Sequence, residues 1–439
     1  VRIAVIGMGY VGLTTAAVLA RQGHATTCTD LSERKVVDVN RGVLPFYEPG
    51  LVDLIRPVIE AGRLVGSVDN VEAARHAEVT FICVGTPARP DGSADLTAVT
   101  AAAHDIGRGL TEAAEYRVVV AKSTIPPGTT MNVILPALEQ AAQKRVGADF
   151  GLCMNPEFLQ EGSAVQNSLH PDRIVIGEYD ARSGDVLDRL YAGFACPKLR
   201  CDLTAAELMK YAANAFLATK ISFANEFARI AEAFHVDVYE VMRGVGLDDR
   251  INPRFLDAGV GFGGSCFPKD VHAIATLAHR HAVETPILDA VLSTNDVQPR
   301  HCVELVQHAL GDLEGKVIAV LGLAFKPDTD DVRYTRALPI IEQLVAAGAH
   351  VRAYDPLATP NFQQLTDAPV EYAASWEEAL RDADLAVVQT SWPEIQGITA
   401  ADFKRLMKTP IIIDGRRTYP PSTMIAQGIQ YYGIGWKNQ

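Results

Sequence analysis

The chain alternates short, wholly apolar runs with longer mixed stretches, beginning with "RIAVIG" (2–7), which breaks at "MGYVG" and passes into the Ala-rich "LTTAAVLARQGH". Apolar runs of this length, bounded by turn residues, predict strands buried on both faces. The longer stretches between them predict helices, and the alternation is that of a parallel α/β sheet. Further strands are predicted at "ATTCTD" (25–30), "VTFICVG" (79–85) and "RVVVAKST" (117–124). The pattern changes between Thr204 and Phe234, where apolar residues recur at helical spacing without Gly or Pro. One long helix is predicted there, suited to joining two domains and to forming a subunit interface.

The C-terminal part repeats the alternation of the first: "KVIAVLG" (316–322) parallels "RIAVIG", "HVRAYD" parallels "ATTCTD", "ADLAVVQT" parallels "AEVTFICVGT", and "TPIIIDGR" parallels "YRVVVAKST". The expected fold is α/β, with two doubly wound Rossmann-like domains joined by a long central helix. Expected boundaries are 1–200, 201–300 for a central helical domain, and 301–439.

The first turn carries Gly7, Gly9 and Gly12 in the spacing G-x-G-x-x-G, after a strand and into a helix. The next strand ends in Asp30, 18 residues beyond Gly12, where a dinucleotide fold places the acid that binds a ribose hydroxyl. Glycines leave the backbone N–H groups and the helix N-terminus open to a pyrophosphate. Asp30 would repel a 2'-phosphate, so NAD is expected rather than NADP. The corresponding turn of the second repeat, "GLAFKPDTDD", lacks the second and third glycines, and no second dinucleotide is expected there. Lys326 in that turn and Arg416 after "IIID" are placed to meet an anionic substrate at the carboxyl edge of the sheet.

Composition narrows the partners. A length of 439 residues calls for two or three domains, and the formal charge of −13 opposes broad contact with nucleic acid or an anionic membrane. No apolar run approaches bilayer-spanning length and the chain opens on a strand, so a cytoplasmic protein is expected. Seven scattered cysteines without a C-x-x-C pair, and eleven histidines without ligand spacing, suggest neither a disulfide framework nor a metal site. On the long helix Lys210 and Asn214 stand four residues apart and share a face, either as solvated polar residues or converging on one ligand group. Cys266, within "GFGGSCFPKD", is preceded by glycines that would let its backbone approach a ligand.

Together these stretches resemble the nucleotide-sugar 6-dehydrogenases over essentially the whole chain. The resemblance rests on "GMGYVGL", "YEPGL", "CVGTP", "STIPPGT", "NPEFLQEGSA" with "PDRIVIG", "KYAANAFLATKISFANE", "GFGGSCFPKD", "LAFKPDTDDVR" and "DGRR", all in the family's order. It implies oxidation of a sugar C6 hydroxyl to a carboxylate, consuming two NAD while the sugar stays bound. It implies Cys266 as the nucleophile: the thiolate adds to the C6 aldehyde, the thiohemiacetal loses hydride, and water opens the thioester. Lys210 and Asn214 would stabilise the oxyanion at C6. Asp270 would organise a water or act as base with Thr124, and Glu157 would assist hydrolysis.

The resemblance assigns Glu157, Phe158, Leu159, Gln160, Glu161, Lys210, Asn214, Phe255, Leu256, Asp257, Ala258, Gly259, Gly263, Lys326 and Arg416 to the nucleotide sugar. Arg250 matches an arginine that reaches a neighbouring subunit's site, which implies a homodimer. Gly7, Gly9, Tyr10, Val11, Asp30, Lys35, Thr86, Thr124, Glu161 and Arg333 are the positions matching NAD contacts. One departure follows Arg333, where the family continues with Glu-Ser-Pro or similar and this chain has Tyr334, Thr335 and Arg336. The run "EFLQEG" is similar to the UDP-glucose branch, which makes UDP-glucose the expected substrate and GDP-mannose or a UDP-N-acetylhexosamine the alternatives. Two rival classes are a two-electron NAD dehydrogenase, which needs no cysteine and no second doubly wound domain, and a nucleotide-binding protein without catalysis.

Overall fold

The computed structural model describes residues 1–436. Eight strands form the first sheet: β1 (Arg2–Ile6), β2 (Ala25–Thr29), β3 (Leu64–Ser67), β4 (Val79–Ile82), β5 (Arg117–Ala121), β6 (Phe150–Met154), β7 (Ile174–Glu178) and β8 (Lys198–Asp202). Their order is β3-β2-β1-β4-β5-β6-β7-β8, and every pairing is parallel except that of β6 with β7. Six parallel strands form the second: β9 (Val317–Leu321), β10 (His350–Tyr354), β11 (Val370–Tyr372), β12 (Leu385–Val388), β13 (Ile411–Asp414) and β14 (Gln430–Gly433), in the order β11-β10-β9-β12-β13-β14. Both sheets therefore carry the doubly wound order, with the crevice for a ligand beyond the carboxyl ends of their central strands. The central strands contain almost nothing polar: residues 3–6, 79–82, 318–321, 385–388 and 411–414 are all buried, as a sheet covered on both faces requires.

The chain divides into two compact units, Val1–Ala213 and Asn214–Gln439. The division falls inside the central helix, Leu203–Ala233, close to the span predicted. Short residues pack its inner side: Ala206 closes against Gly177 of β7, where any side chain on the glycine would stand 2.6 Å from the Ala206 methyl. Its outer side carries exposed Phe216, Phe223 and Ile230, each seven residues from the next. Among the described residues no helix is long and apolar enough to cross a membrane.

Carboxylates, one buried and one half-buried, fasten the helix at both ends. Glu207 accepts hydrogen bonds from the Gly128 N–H (2.5 Å) and from the Thr130 N–H and hydroxyl (2.6 Å each), holding the turn that follows β5. In the second unit Glu232 accepts from the Gly435 N–H (2.6 Å) and pairs with His301 Nε2 (2.8 Å). Burial opposes charge on His301, but the hydrogen bond and charge of Glu232, joined by Glu304, raise its pKa.

A His that binds its proton more tightly when folded contributes stability that is full below its unfolded pKa and is lost as pH rises through the folded one. A His301→Gln variant is accordingly expected to melt about 2–4 °C below the parent at about pH 6, with the gap narrowing as pH rises. Melting curves across the pH range check this, and a gap independent of pH would remove the proton linkage.

Candidate active site

At the mouth of the first sheet each glycine has its own reason. A Cβ on Gly12 would lie 1.9 Å from the Gly7 carbonyl oxygen, and one on Gly7, whose φ is +111°, would lie 2.7 Å from the Cys83 carbonyl oxygen. A Cβ on Gly9 would meet no protein atom within 4 Å. The protein itself does not demand glycine there, whereas a ligand pressed against the N-terminus of the helix Tyr10–Arg21 would, and no side chain caps that end. Tyr10 and Val11 open that helix. Asp30, at the end of β2, accepts from the Met8 N–H (3.2 Å) and the Ser32 N–H (3.0 Å), with the Lys35 ammonium 3.5 Å away. The Thr86 hydroxyl donates to the Thr124 carbonyl (2.7 Å), bringing two further cofactor candidates together. These residues fit a dinucleotide.

Also in the first unit, Lys210 on the central helix forms an ion pair with Glu157 (Nζ–Oε1 2.9 Å), the two side chains only 3% and 5% exposed. The other Glu157 oxygen accepts from the Leu159 N–H (2.5 Å). Burial alone would raise the Glu157 pKa. The charge and hydrogen bond of Lys210 outweigh it, assisted by the Leu159 N–H and by Lys122, and the carboxyl is held below its ordinary value. The Phe158 ring has the Arg173 guanidinium 3.7 Å from its centroid and the Lys210 ammonium 5.7 Å away. The Gln160 N–H is held by Asn167 (3.0 Å), and Glu161 is half-buried beside it.

Two polar residues of this cluster have no place in the sequence reading. Lys122 donates to Asn155 Oδ1 (2.9 Å), which also accepts from the Tyr191 hydroxyl (2.7 Å). Burial lowers the Lys122 pKa, against the nearby Cys83 and Glu157, and Lys210 adds to the lowering. The available signal was a lysine closing the apolar run "RVVVA".

In the second unit Cys266 is the N-cap of the 14-residue helix Phe267–Arg280, and the helix dipole favours negative charge at that end. The Ser265 hydroxyl lies 3.5 Å from its sulfur. One turn on, Asp270 is 1% exposed; its two oxygens take the Asn214 amide (2.6 Å) and the Lys269 ammonium (2.6 Å). The glycines before the cysteine are required by packing: a Cβ on Gly263 would lie 2.4 Å from the Tyr334 carbonyl oxygen, and the Gly264 N–H donates to the Arg333 carbonyl (2.9 Å). Tyr334 has a φ of +51° and meets the cysteine loop through its backbone, while its side chain is exposed. Of the three departing residues only Tyr334 makes its contact through the backbone; Thr335 and Arg336 are buried, the Thr335 hydroxyl donating to the Leu323 carbonyl (2.7 Å) and the Arg336 side chain lying against Gly261.

Arg416 closes the second sheet. Its Nε donates to the Gln389 carbonyl (2.9 Å), and among the described residues no carboxylate pairs with it. Burial lowers its pKa to about 10, the nearby Arg336 acting in the same sense against Tyr239 and Cys302. The Phe255–Gly259 backbone lies alongside: a Cβ on Gly259 would stand 3.3 Å from an Arg416 nitrogen, and Asn225 and Gln298 hold the Gly259 N–H (2.8 Å) and carbonyl (2.7 Å). Leu256 and Ala258 are buried, Asp257 is exposed, and the Phe255 ring sits 6.3 Å from that of Phe267 on the cysteine helix. Lys326 is half-buried beside the Phe325 ring (5.6 Å). The side chains of two further candidates are held by neighbouring carboxylates. Arg250 is 89% exposed and pairs with Asp248 (2.6 Å), and Arg333 is held by Asp331 (2.7 Å).

The counterpart of Asp30 in the second repeat is differently employed. Asp355 accepts from the N–H groups of Leu323, Ala324, Leu357 and Ala358 and from the Trp392 indole (3.0 Å), so its oxygens are consumed within the protein.

Comparison with known proteins agrees with this layout from end to end. Three domain models of one family match in sequence: the NAD binding domain at residues 1–195, the central domain at 204–297 and the UDP binding domain at 319–421. The chain belongs to the UDP-glucose/GDP-mannose dehydrogenase family. It is an NAD-dependent dehydrogenase. The UDP-glucose 6-dehydrogenase TuaD of Bacillus subtilis (strain 168) is 43% identical over 99% of this chain and 93% of that protein. A solved UDP-glucose dehydrogenase from Pyrobaculum islandicum superposes with a TM-score of 0.92 at 39% identity, covering 99% of this chain and 97% of that one. A UDP-D-ManNAc dehydrogenase from Pyrococcus horikoshii superposes with a TM-score of 0.88 at 29% identity over the full length of both chains. Relatives of this dehydrogenase thus bear the names of more than one nucleotide sugar.

Proposed function

We propose that this dehydrogenase oxidises UDP-glucose to UDP-glucuronate through a covalent intermediate on Cys266. The observation that carries the reading is the placement of Cys266: a half-buried thiol at a helix N-terminus, one turn from an Asp270 that holds the Asn214 amide. NAD held by the Gly7–Gly12 turn and Asp30 would supply the hydride acceptor, one molecule for each of the two oxidations, with the C6 hydroxyl proton of the first passing to water. After the first, the Cys266 sulfur adds to C6 of the aldehyde, leaving an oxyanion for Lys210 and Asn214 to stabilise. Asn214 keeps an N–H for this role, since one N–H suffices for its bond to Asp270. Loss of the second hydride gives the thioester. Water then attacks C6, the C–S bond breaks, and the thiolate is restored. Glu157 and Thr124 assist proton removal from the water, and Asp270 fixes Asn214.

Arg416, a cation without a carboxylate partner among the described residues, supports a diphosphate ligand, with Lys326 and the Phe255–Gly259 backbone as its neighbours. Phe158 to Glu161 complete the sugar side. Identity of about 40% to proteins named for UDP-glucose favours that sugar. In this reading the working domains are 1–200 for NAD, 201–300 for the central helical part and 301–439 for the UDP-sugar. The protein is a cytoplasmic homodimer in which exposed Phe216, Phe223 and Ile230 meet a second copy and Arg250 serves the neighbouring site.

The test is NADH formed per sugar at completion, with UDP-glucose, GDP-mannose and a UDP-N-acetylhexosamine supplied in turn. Two NADH per UDP-glucose is the expected result. One NADH would indicate two-electron chemistry, and two with a different sugar would replace the substrate while keeping the mechanism.

A further inference from the structure

The segment Phe46–Glu48, which runs into "YEPGL" (47–51), belongs to neither cluster above, yet it touches both the cofactor helix and the sugar loop. The Phe46 ring stacks on Tyr10 with centroids 3.9 Å apart, and the Tyr10 hydroxyl reaches the Tyr47 carbonyl (3.5 Å). Two residues on, Glu48 is 3% exposed and sends its two carboxylate oxygens to the N–H groups of Gly162 (2.8 Å) and Ala164 (2.7 Å). Those residues follow Phe158–Glu161 directly. The helix Ala164–Leu169 has no side-chain cap of its own, so a carboxylate 116 positions away in sequence supplies it. The loop is held at its other end by Glu157 on the Leu159 N–H and in the middle by Asn167 on the Gln160 N–H.

We propose that Glu48 is a positioning residue that couples occupancy of the cofactor site to the conformation of the sugar loop. The proposal rests on the assignment of Phe158–Glu161 to the sugar. A dinucleotide that orders Tyr10 also orders Phe46, and with it the carboxylate that fixes Gly162 and Ala164. Coupling of this kind is reciprocal, so a bound sugar tightens the cofactor by the same factor.

Glu48→Gln keeps the size of the side chain but sets an amide N–H against one of the two peptide N–H groups, leaving that donor unsatisfied. The experiment is a fluorescence titration of NADH without and with saturating nucleotide sugar, using whichever of the three sugars the parent oxidises. A failure of the UDP-glucose reading then changes the ligand rather than the test of Glu48. In the parent the sugar is expected to tighten NADH at least about fivefold. In Glu48→Gln that factor is expected to fall below about twofold while NADH affinity without sugar is retained. The KM for sugar is expected to rise about tenfold, with kcat within about threefold of the parent. Phe46→Leu, which removes only the stack on Tyr10, is expected to reduce the factor in the same direction and serves if Glu48→Gln does not fold. A parent without coupling, or variants that lose thermal stability yet keep the parent's factor, would overturn the proposal and leave Glu48 a staple of the fold.

Discussion

Steady-state NADH production by Cys266→Ser is expected to fall by at least about a thousandfold, because a serine hydroxyl is almost entirely protonated near neutral pH while a thiol supplies appreciable thiolate. The fold should survive, since Ser differs from Cys by one atom and Cys266 sits at a half-buried helix cap rather than in a core. Unchanged melting temperature and retained NADH binding are the controls. Four of the other six cysteines, Cys28, Cys83, Cys153 and Cys302, are buried, and burial raises the pKa of each, so none can take over as nucleophile. A Cys266→Ser enzyme that turns over normally would assign the protein to two-electron chemistry.

Lys210→Met is the second large effect, and it divides into two parts that separate experimentally. Loss of an oxyanion donor is expected to lower kcat by about 10²–10³-fold. Loss of the ion pair leaves the Glu157 carboxylate buried without its main partner, which is expected to lower the melting temperature and to raise the Glu157 pKa, because burial then acts with less opposition. The acid limb of the residual activity should accordingly move to higher pH. Adding Glu157→Gln to Lys210→Met should recover melting temperature without recovering kcat. Recovery of both would make the pair a structural element and remove Lys210 from the chemistry.

The features legible in the sequence are those fixed by local rules. Gly7 and Gly12 are dictated by close approach and backbone angle, Asp30 by its place at the end of β2, and the central helix by an uninterrupted period, and the structure has all of them. Strands β3, β6, β7, β8, β11 and β14 are not among those predicted, and nothing local announces the antiparallel step between β6 and β7. Side chains that act over long sequence distances left no periodic trace. Glu48 meets Gly162 and Ala164 across 114 and 116 positions, Glu207 meets Thr130 across 77, and Lys122 meets Asn155 across 33. Asp355 is the twin of Asp30 by strand alternation; the missing glycines of its turn already argued against a second dinucleotide, and the fold adds that the Trp392 indole and four peptide N–H groups occupy its carboxylate.

Among the described residues the half-buried Arg416 pairs with no carboxylate, and desolvation lowers its pKa. A fold built this way has part of its stability completed from outside. Any diphosphate that binds there favours the folded chain over the unfolded one in proportion to the logarithm of its concentration above Kd. On the proposed assignment of Arg416 to the diphosphate, the lifetime of the enzyme in a cell that degrades unfolded chains would follow the supply of its nucleotide ligand.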